Sequence, residues 1–197
     1  MELLKRNLPI LFVAILLDCG CHHYRPQTGD IVLQDLKSPS SEAIKLATNS
    51  PYSHCGIVSM KDNGAFVIEA VGPVRKIPLE EWIENGEGLY SILRLKEGRN
   101  VDDVIRAAEK YLGLPYDRRY LWGDDEFYCS ELVYKAYRRG CGISLCDPRQ
   151  FEEYNLEPIK RAIMERFGEV PIGQMVVTPG DLAHSELLIV VYSNMED

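Results

Sequence analysis

The chain has 197 residues, of which 46% are hydrophobic and 26% charged. Those proportions exclude a disordered chain, and this length can bury a core without metal or disulfide staples. The 22 Lys and Arg against 30 Asp and Glu leave a net charge of −8, which argues against a nucleic-acid binder with its basic face. No run of 18 apolar residues is present, so no ordinary transmembrane helix is expected, and six cysteines are too few and scattered for a disulfide scaffold.

Residues 1–6 end in Lys5-Arg6, residues 8–17 are apolar throughout, and Asp18-Cys19-Gly20-Cys21 follows. Charge, a short apolar stretch and then small residues is the layout of a secretory signal. The cysteines make it resemble a bacterial lipoprotein signal, cut before a Cys that then carries lipid, here Cys21 (or Cys19). The expectation is a signal peptide over 1–20 and a single domain over 21–197. It includes export to the cell envelope and membrane contact through an N-terminal lipid anchor. Cys141 and Cys146 are close enough in sequence to pair, although spacing alone does not decide it.

Gly29-Asp30 reads as a turn before a strand at 31–34. Ala43, Ile44 and Ala47 have helical spacing in a helix over 38–49, with Pro39 at its start. Strands at 54–60 and 65–71 flank Lys61-Asp62-Asn63-Gly64, a strong hairpin signal. A strand at 74–77, a helical piece at 79–84 and a strand at 89–95 come next. Asn100 can cap a helix over 101–112, which Gly113 ends. A helix over 129–139 stops at Gly140, a helix over 158–167 stops at Gly168, and late strands fall at 176–177 and 187–192. Helices interspersed with short, antiparallel strands define an α+β class.

Three segments carry candidate chemistry. Cys129 begins the best amphipathic helix, where unpaired N–H groups and the dipole favour a thiolate. His54 opens a strand and could serve such a thiol as base. Glu69 is a carboxylate inside an apolar strand, uncommon unless paired. If residue 60 faces 65 across the hairpin, Glu69 lies on the same face as His54, within reach as its orienting partner. A three-residue loop would break that parity. Cys55 then points to the other face and reads as core. His184, in a polar turn, reads as a surface residue. No His/Cys cluster has zinc spacing, so neither a metal nor a cofactor is expected.

Several segments carry a family resemblance: Gly29-Asp30-Ile31-Val32, Tyr52-Ser53-His54-Cys55-Gly56-Ile57-Val58, Val67-Ile68-Glu69-Ala70 and Gly113-Leu114-Pro115-Tyr116-Asp117. So do the run from Trp122 through Tyr128-Cys129-Ser130-Glu131-Leu132-Val133 to Tyr137, and Thr178-Pro179-Gly180-Asp181-Leu182. The chain resembles the permuted NlpC/papain-like cysteine hydrolases of the YiiX/YebB type. The resemblance implies a circularly permuted papain-like fold, with a small antiparallel β-barrel or sheet packed against helices. It also implies a Cys129 nucleophile, a His54 base, Glu69 as orienting member and a Tyr116 hydroxyl at the oxyanion. The implied activity is thiol-dependent cleavage of an amide, in a cell-wall peptide or an N-acyl amide. The alternative is a lipid-directed acyltransferase, esterase or lipid-binding protein. An apolar pocket would favour lipid, and an open acidic groove a cationic peptide.

Overall fold

In a computed structural model, the described residues are 25–195; the expected signal segment and the lipidation candidates Cys21 and Cys19 lie outside them. Six strands form one antiparallel sheet: β1 (Ile31–Leu36), β2 (His54–Lys61), β3 (Gly64–Ala70), β4 (Val74–Pro78), β5 (Gly86–Leu95) and, from the end of the chain, a last strand Leu188–Ser193. Their order is β4-β3-β2-β1-β5 and then that last strand, so the sheet is open, with two edges, and not a closed barrel. The β2–β3 hairpin pairs Met60 with Ala65 and Gly56 with Glu69, the parity expected from the sequence. Lys61 and Gly64 also pair, so the turn proper is only Asp62-Asn63.

Strand alternation gives the sheet two apolar faces. Ile31, Leu33, Cys55, Ile57 and Ile68 pack in one cluster with Val104 and Ala108 of α3 (Asp102–Glu109) and Leu132, Val133 and Ala136 of α4 (Cys129–Cys141). Val32, Val58, Val67 and Ile92 pack on the other face with Trp82 of α2 (Leu79–Glu84). A short helix, α1 (Ser41–Thr48), joins β1 to β2.

Helix boundaries depart from expectation in ways the packing explains. The α3 helix starts at Asp102, with Asn100 Oδ1 accepting the Asp102 N–H at 3.0 Å, and stops at Glu109. Tyr111 and Leu112 instead bond three residues back, tightening the final turn. The α4 helix does not stop at Gly140: it continues to Cys141, and Gly142, at φ 72, is the left-handed cap. A 3₁₀ turn (Glu157–Ile159) precedes α5 (Lys160–Phe167), which Gly168 ends as expected. Residues 149–150 and 175–176 form a small two-stranded sheet, β6 (Arg149–Gln150) with β7 (Met175–Val176). Instead of the polar turn expected before His184, residues there form a helix, α6 (Pro179–Ala183), because Thr178 and Asp181 make a reciprocal capping box. The last strand is therefore β8. His184 is exposed at the end of α6, and Cys141 and Cys146 are free thiols.

Candidate active site

The α4 helix delivers Cys129 to the open end of β2. Tyr128 and Ser130 on either side of it are both tied to Val177: the Val177 N–H donates to the Tyr128 hydroxyl at 3.1 Å, and the Ser130 hydroxyl donates to the Val177 carbonyl at 2.7 Å. The helix start is thereby held from both flanks. No side chain caps the start of α4, and its first N–H groups have no acceptor within the helix.

His54 is the first residue of β2, and a buried network under α1 fixes the turn leading into it. There the Ser53 hydroxyl donates to Asp35 at 3.1 Å and accepts from the Leu36 N–H at 2.9 Å. The His54 ring donates from Nε2 to Glu69 Oε2 at 2.6 Å and stacks on Trp82, with centroids 6.1 Å apart. The other Glu69 oxygen accepts from Arg75 at 2.8 Å, and β4 sets Arg75 directly opposite Glu69. Both His54 and Glu69 are almost fully buried. With Nε2 committed to the carboxylate, Nδ1 is the ring nitrogen left for the Cys129 sulfur, whose influence the His54 ring feels.

Burial by itself would push the His54 pKa down. Its hydrogen bonds to Cys129 and Glu69, and the charges on both, outweigh that and raise it to about 9. Burial would likewise raise Glu69, but His54 and Arg75 hold its carboxyl below the ordinary range. Cys129 lies well below an ordinary thiol, chiefly because the Cys55 thiol donates to it. The bond and charge of His54 and the Cys55 backbone N–H add to this, against the cost of burial. Cys55 itself is held up by burial and by the thiolate it donates to. These shifts favour a thiolate on Cys129 beside an imidazolium on His54, the charge pairing that suits a cysteine nucleophile. Alkylation by iodoacetamide is expected to modify Cys129 well below pH ~8.5, the usual thiol range, with Cys55 spared. Mass spectrometry locates the label; modification of Cys129 only near pH 8.5 would contradict the ion pair.

Beside Cys129 opens a cavity of about 430 Å³. Ile44 and Ala47 of α1, Ile159, Ile163 of α5, Phe151 and Val177 give it apolar walls. Tyr116 and Tyr120 also line it. Burial first, then the nearby thiolate, raises the Tyr116 hydroxyl well above its ordinary value, so it remains a donor. Tyr120 sits at φ 57, a left-handed conformation unusual for an aromatic residue, costing about 1–3 kcal/mol. Gln174 holds it there by donating to the Tyr120 carbonyl.

The structure therefore brings Cys129, His54, Glu69 and Tyr116 into one site. Cys55, Arg75, Trp82 and Tyr120 belong to it as well and were missed from sequence. The position of Arg75 across from Glu69 follows from the β3–β4 register. Cys55 is core, as expected, but it also packs in the cluster that holds Cys129 and helps to lower the Cys129 pKa.

A thiol–imidazole–carboxylate set joining a helix start to an antiparallel sheet defines a papain-like cysteine hydrolase. The chain belongs to the family described as permuted papain-like amidase enzyme, YaeF/YiiX, C92 family, which it matches over residues 25–192. It is accordingly a cysteine hydrolase acting on amides. It is 37% identical over 177 residues to Uncharacterized protein YiiX of Escherichia coli (strain K12), a similarity covering 86% of this chain and 88% of that protein. The crystal structure of metalloprotein yiiX from Escherichia coli O157:H7 superposes with a TM-score of 0.84 at 38% identity, covering 88% of this chain and 100% of that one.

Proposed function

We propose that this hydrolase cleaves N-acyl amides whose acyl chain is long and apolar, through a thioester on Cys129. The observation that carries this reading is the apolar cavity beside the thiol. Its volume lies within the range of small-molecule sites. A polar peptide would leave its own amides unpaired against Ile44, Ile159 and Ile163, whereas an alkyl chain gains ~0.8 kcal/mol per buried methylene.

In this mechanism the Cys129 thiolate attacks the amide carbonyl. The Cys129 backbone N–H and the Tyr116 hydroxyl donate to the developing oxyanion. The C–N bond breaks as the His54 imidazolium gives its proton to the leaving nitrogen. Water, deprotonated by the now neutral His54, attacks the thioester, releases the fatty acid and restores the thiolate. Glu69, anchored by Arg75, orients the imidazole and stabilises its charge. The similar Escherichia coli protein is called a metalloprotein. Here, among the described residues, no group of three or more His, Cys, Asp or Glu is placed to hold a metal ion. Export and a lipid anchor at Cys21 (or Cys19) complete the proposal, since they would keep the enzyme where acyl amides partition.

The test is the hydrolysis of 4-nitroanilides of acetate, octanoate and laurate. From acetyl to lauroyl, kcat/KM is expected to rise at least ~100-fold. Ala47→Phe, which fills part of the cavity, is expected to erase most of that gain while sparing the acetyl substrate. A flat chain-length profile, with cleavage of a peptidoglycan stem peptide instead, would overturn the acyl reading.

A further inference from the structure

Among the described residues, the charged side chains that line the apolar cavity besides the Cys129 thiolate are Glu165 and Arg166, both on α5. Glu165 is occupied by Arg161 at 2.7 Å. Arg166 is different: its Nε donates to the Arg118 carbonyl at 3.0 Å, and no carboxylate among the described residues pairs with its charge. The guanidinium lies 5.0 Å from the centre of the Tyr120 ring and 5.6 Å from that of Phe167. Stacking on two rings and one backbone bond fixes the plane of the group while leaving its terminal nitrogens for a ligand. Arg166 also lines a second, outer hollow, together with Arg119 and Glu169, and so stands where the cavity meets solvent. Tyr116 and Tyr120 line the same cavity, and both hydroxyls feel the Cys129 thiolate and the Arg166 charge.

Arg166 is exposed at the cavity rim, so water answers its charge until a ligand takes that place, and the stacked guanidinium is already oriented to receive one. A guanidinium fork matches a carboxylate or a phosphate, two acceptor oxygens in one plane. We propose that Arg166 is a specificity determinant that binds an anionic group, carboxylate or phosphate, on the leaving amine of the acyl amide. This rests on the acyl-amide reading above. With the acyl carbon at Cys129 and the chain against the α1 and α5 walls, the amine portion is what remains to reach the rim. For an N-acyl amino acid the balance is amide plus water giving fatty acid and free amino acid, with the leaving nitrogen taking the His54 proton.

The experiment compares three lauroyl amides with one tail: N-lauroylglycine, N-lauroyl phosphoethanolamine and N-lauroylethanolamine. Wild-type kcat/KM is expected to favour the anionic pair over the neutral amide by ~10–100-fold, in line with a charge-assisted bidentate contact. In Arg166→Gln that ratio is expected to collapse to ~1–3-fold, mostly through KM, and Arg166→Lys is expected to restore part of it. Because the ratio is internal to each variant, a general loss from the Arg118 contact cancels. The carboxylate and phosphate arms tell the two head chemistries apart. Binding of N-lauroylglycine and N-lauroylethanolamine to Cys129→Ala and to Cys129→Ala/Arg166→Gln, by calorimetry, gives a readout independent of turnover. Discrimination in binding without any hydrolysis would sink the acyl-amidase reading and sustain the anion site. A wild-type enzyme indifferent to head charge, or a preference that survives Arg166→Gln, would overturn the anion site.

Discussion

Cys129→Ala is expected to remove hydrolysis of every substrate the enzyme accepts, by ~10⁴-fold or more in kcat, while leaving the fold in place. The size follows from the division of labour in the site. His54 and Glu69 have no covalent chemistry of their own here; they act on a thiolate, and without it only binding and oxyanion donors remain. The fold survives because the removed group is one sulfur atom at a helix start beside an open cavity. Losing its contacts costs about 1–2 kcal/mol, a few degrees in Tm for a chain of this size. Electrostatics soften the loss further: without the thiolate, His54 loses one of the two partners that hold its pKa at about 9, and becomes neutral more readily beside Glu69. Turnover by a well-folded Cys129→Ala protein would show that another group is the nucleophile. A variant that fails to fold would be replaced by Cys129→Ser, which is nearly isosteric and expected to be almost as inactive.

Much of this site is legible in the sequence because local rules determine it. A hairpin with Asp62-Asn63 at its tip gives a register, and the register puts Glu69 on the His54 face. Helix-start chemistry singles out Cys129 over the other cysteines. What the sequence does not carry is which layers meet. Trp82 comes under His54 because α2 covers that face, and Cys55 touches the nucleophile because α4 covers the other. Neither contact has a local signature. The cavity is harder still, since α1, residues 151–159 and α5 build it jointly across more than a hundred positions. The α6 helix has a local signal that the reading of a polar turn passes over: Thr178-Pro179-Gly180-Asp181 has the residue types of a capping box around a proline suited to a first turn.

Gly140 shows how a correct local rule can mislead, and it leads to the largest stability effect expected outside the site. Read along the chain, a glycine directly after the helix expected over 129–139 is a stop signal. In the fold it lies inside α4, at the crossing with α3. A Cβ there would meet the Val104 backbone N and Cα at 2.5 Å and the Asp103 carbonyl carbon at 2.6 Å. Two effects of Gly140→Ala compete. Helix propensity favours alanine by about 1 kcal/mol. The clash is with backbone, which no rotamer change relieves, so the helices must separate and loosen Val104 and Ala108 from the core they share with Val133 and Ala136. Separation wins, and the net destabilisation is expected to be about 2–4 kcal/mol, or ~5–15 °C in Tm. Gly142 supplies the contrast. It is the true cap, at φ 72 with nothing within 4 Å of the added atom, so Gly142→Ala meets only left-handed strain of about 1–2 kcal/mol. Thermal unfolding of the two variants should rank Gly140→Ala well below Gly142→Ala. The reverse order, or a Gly140→Ala protein melting within a degree or two of wild type, would mean that α3 and α4 do not cross at backbone contact and that the glycine serves only to end its helix.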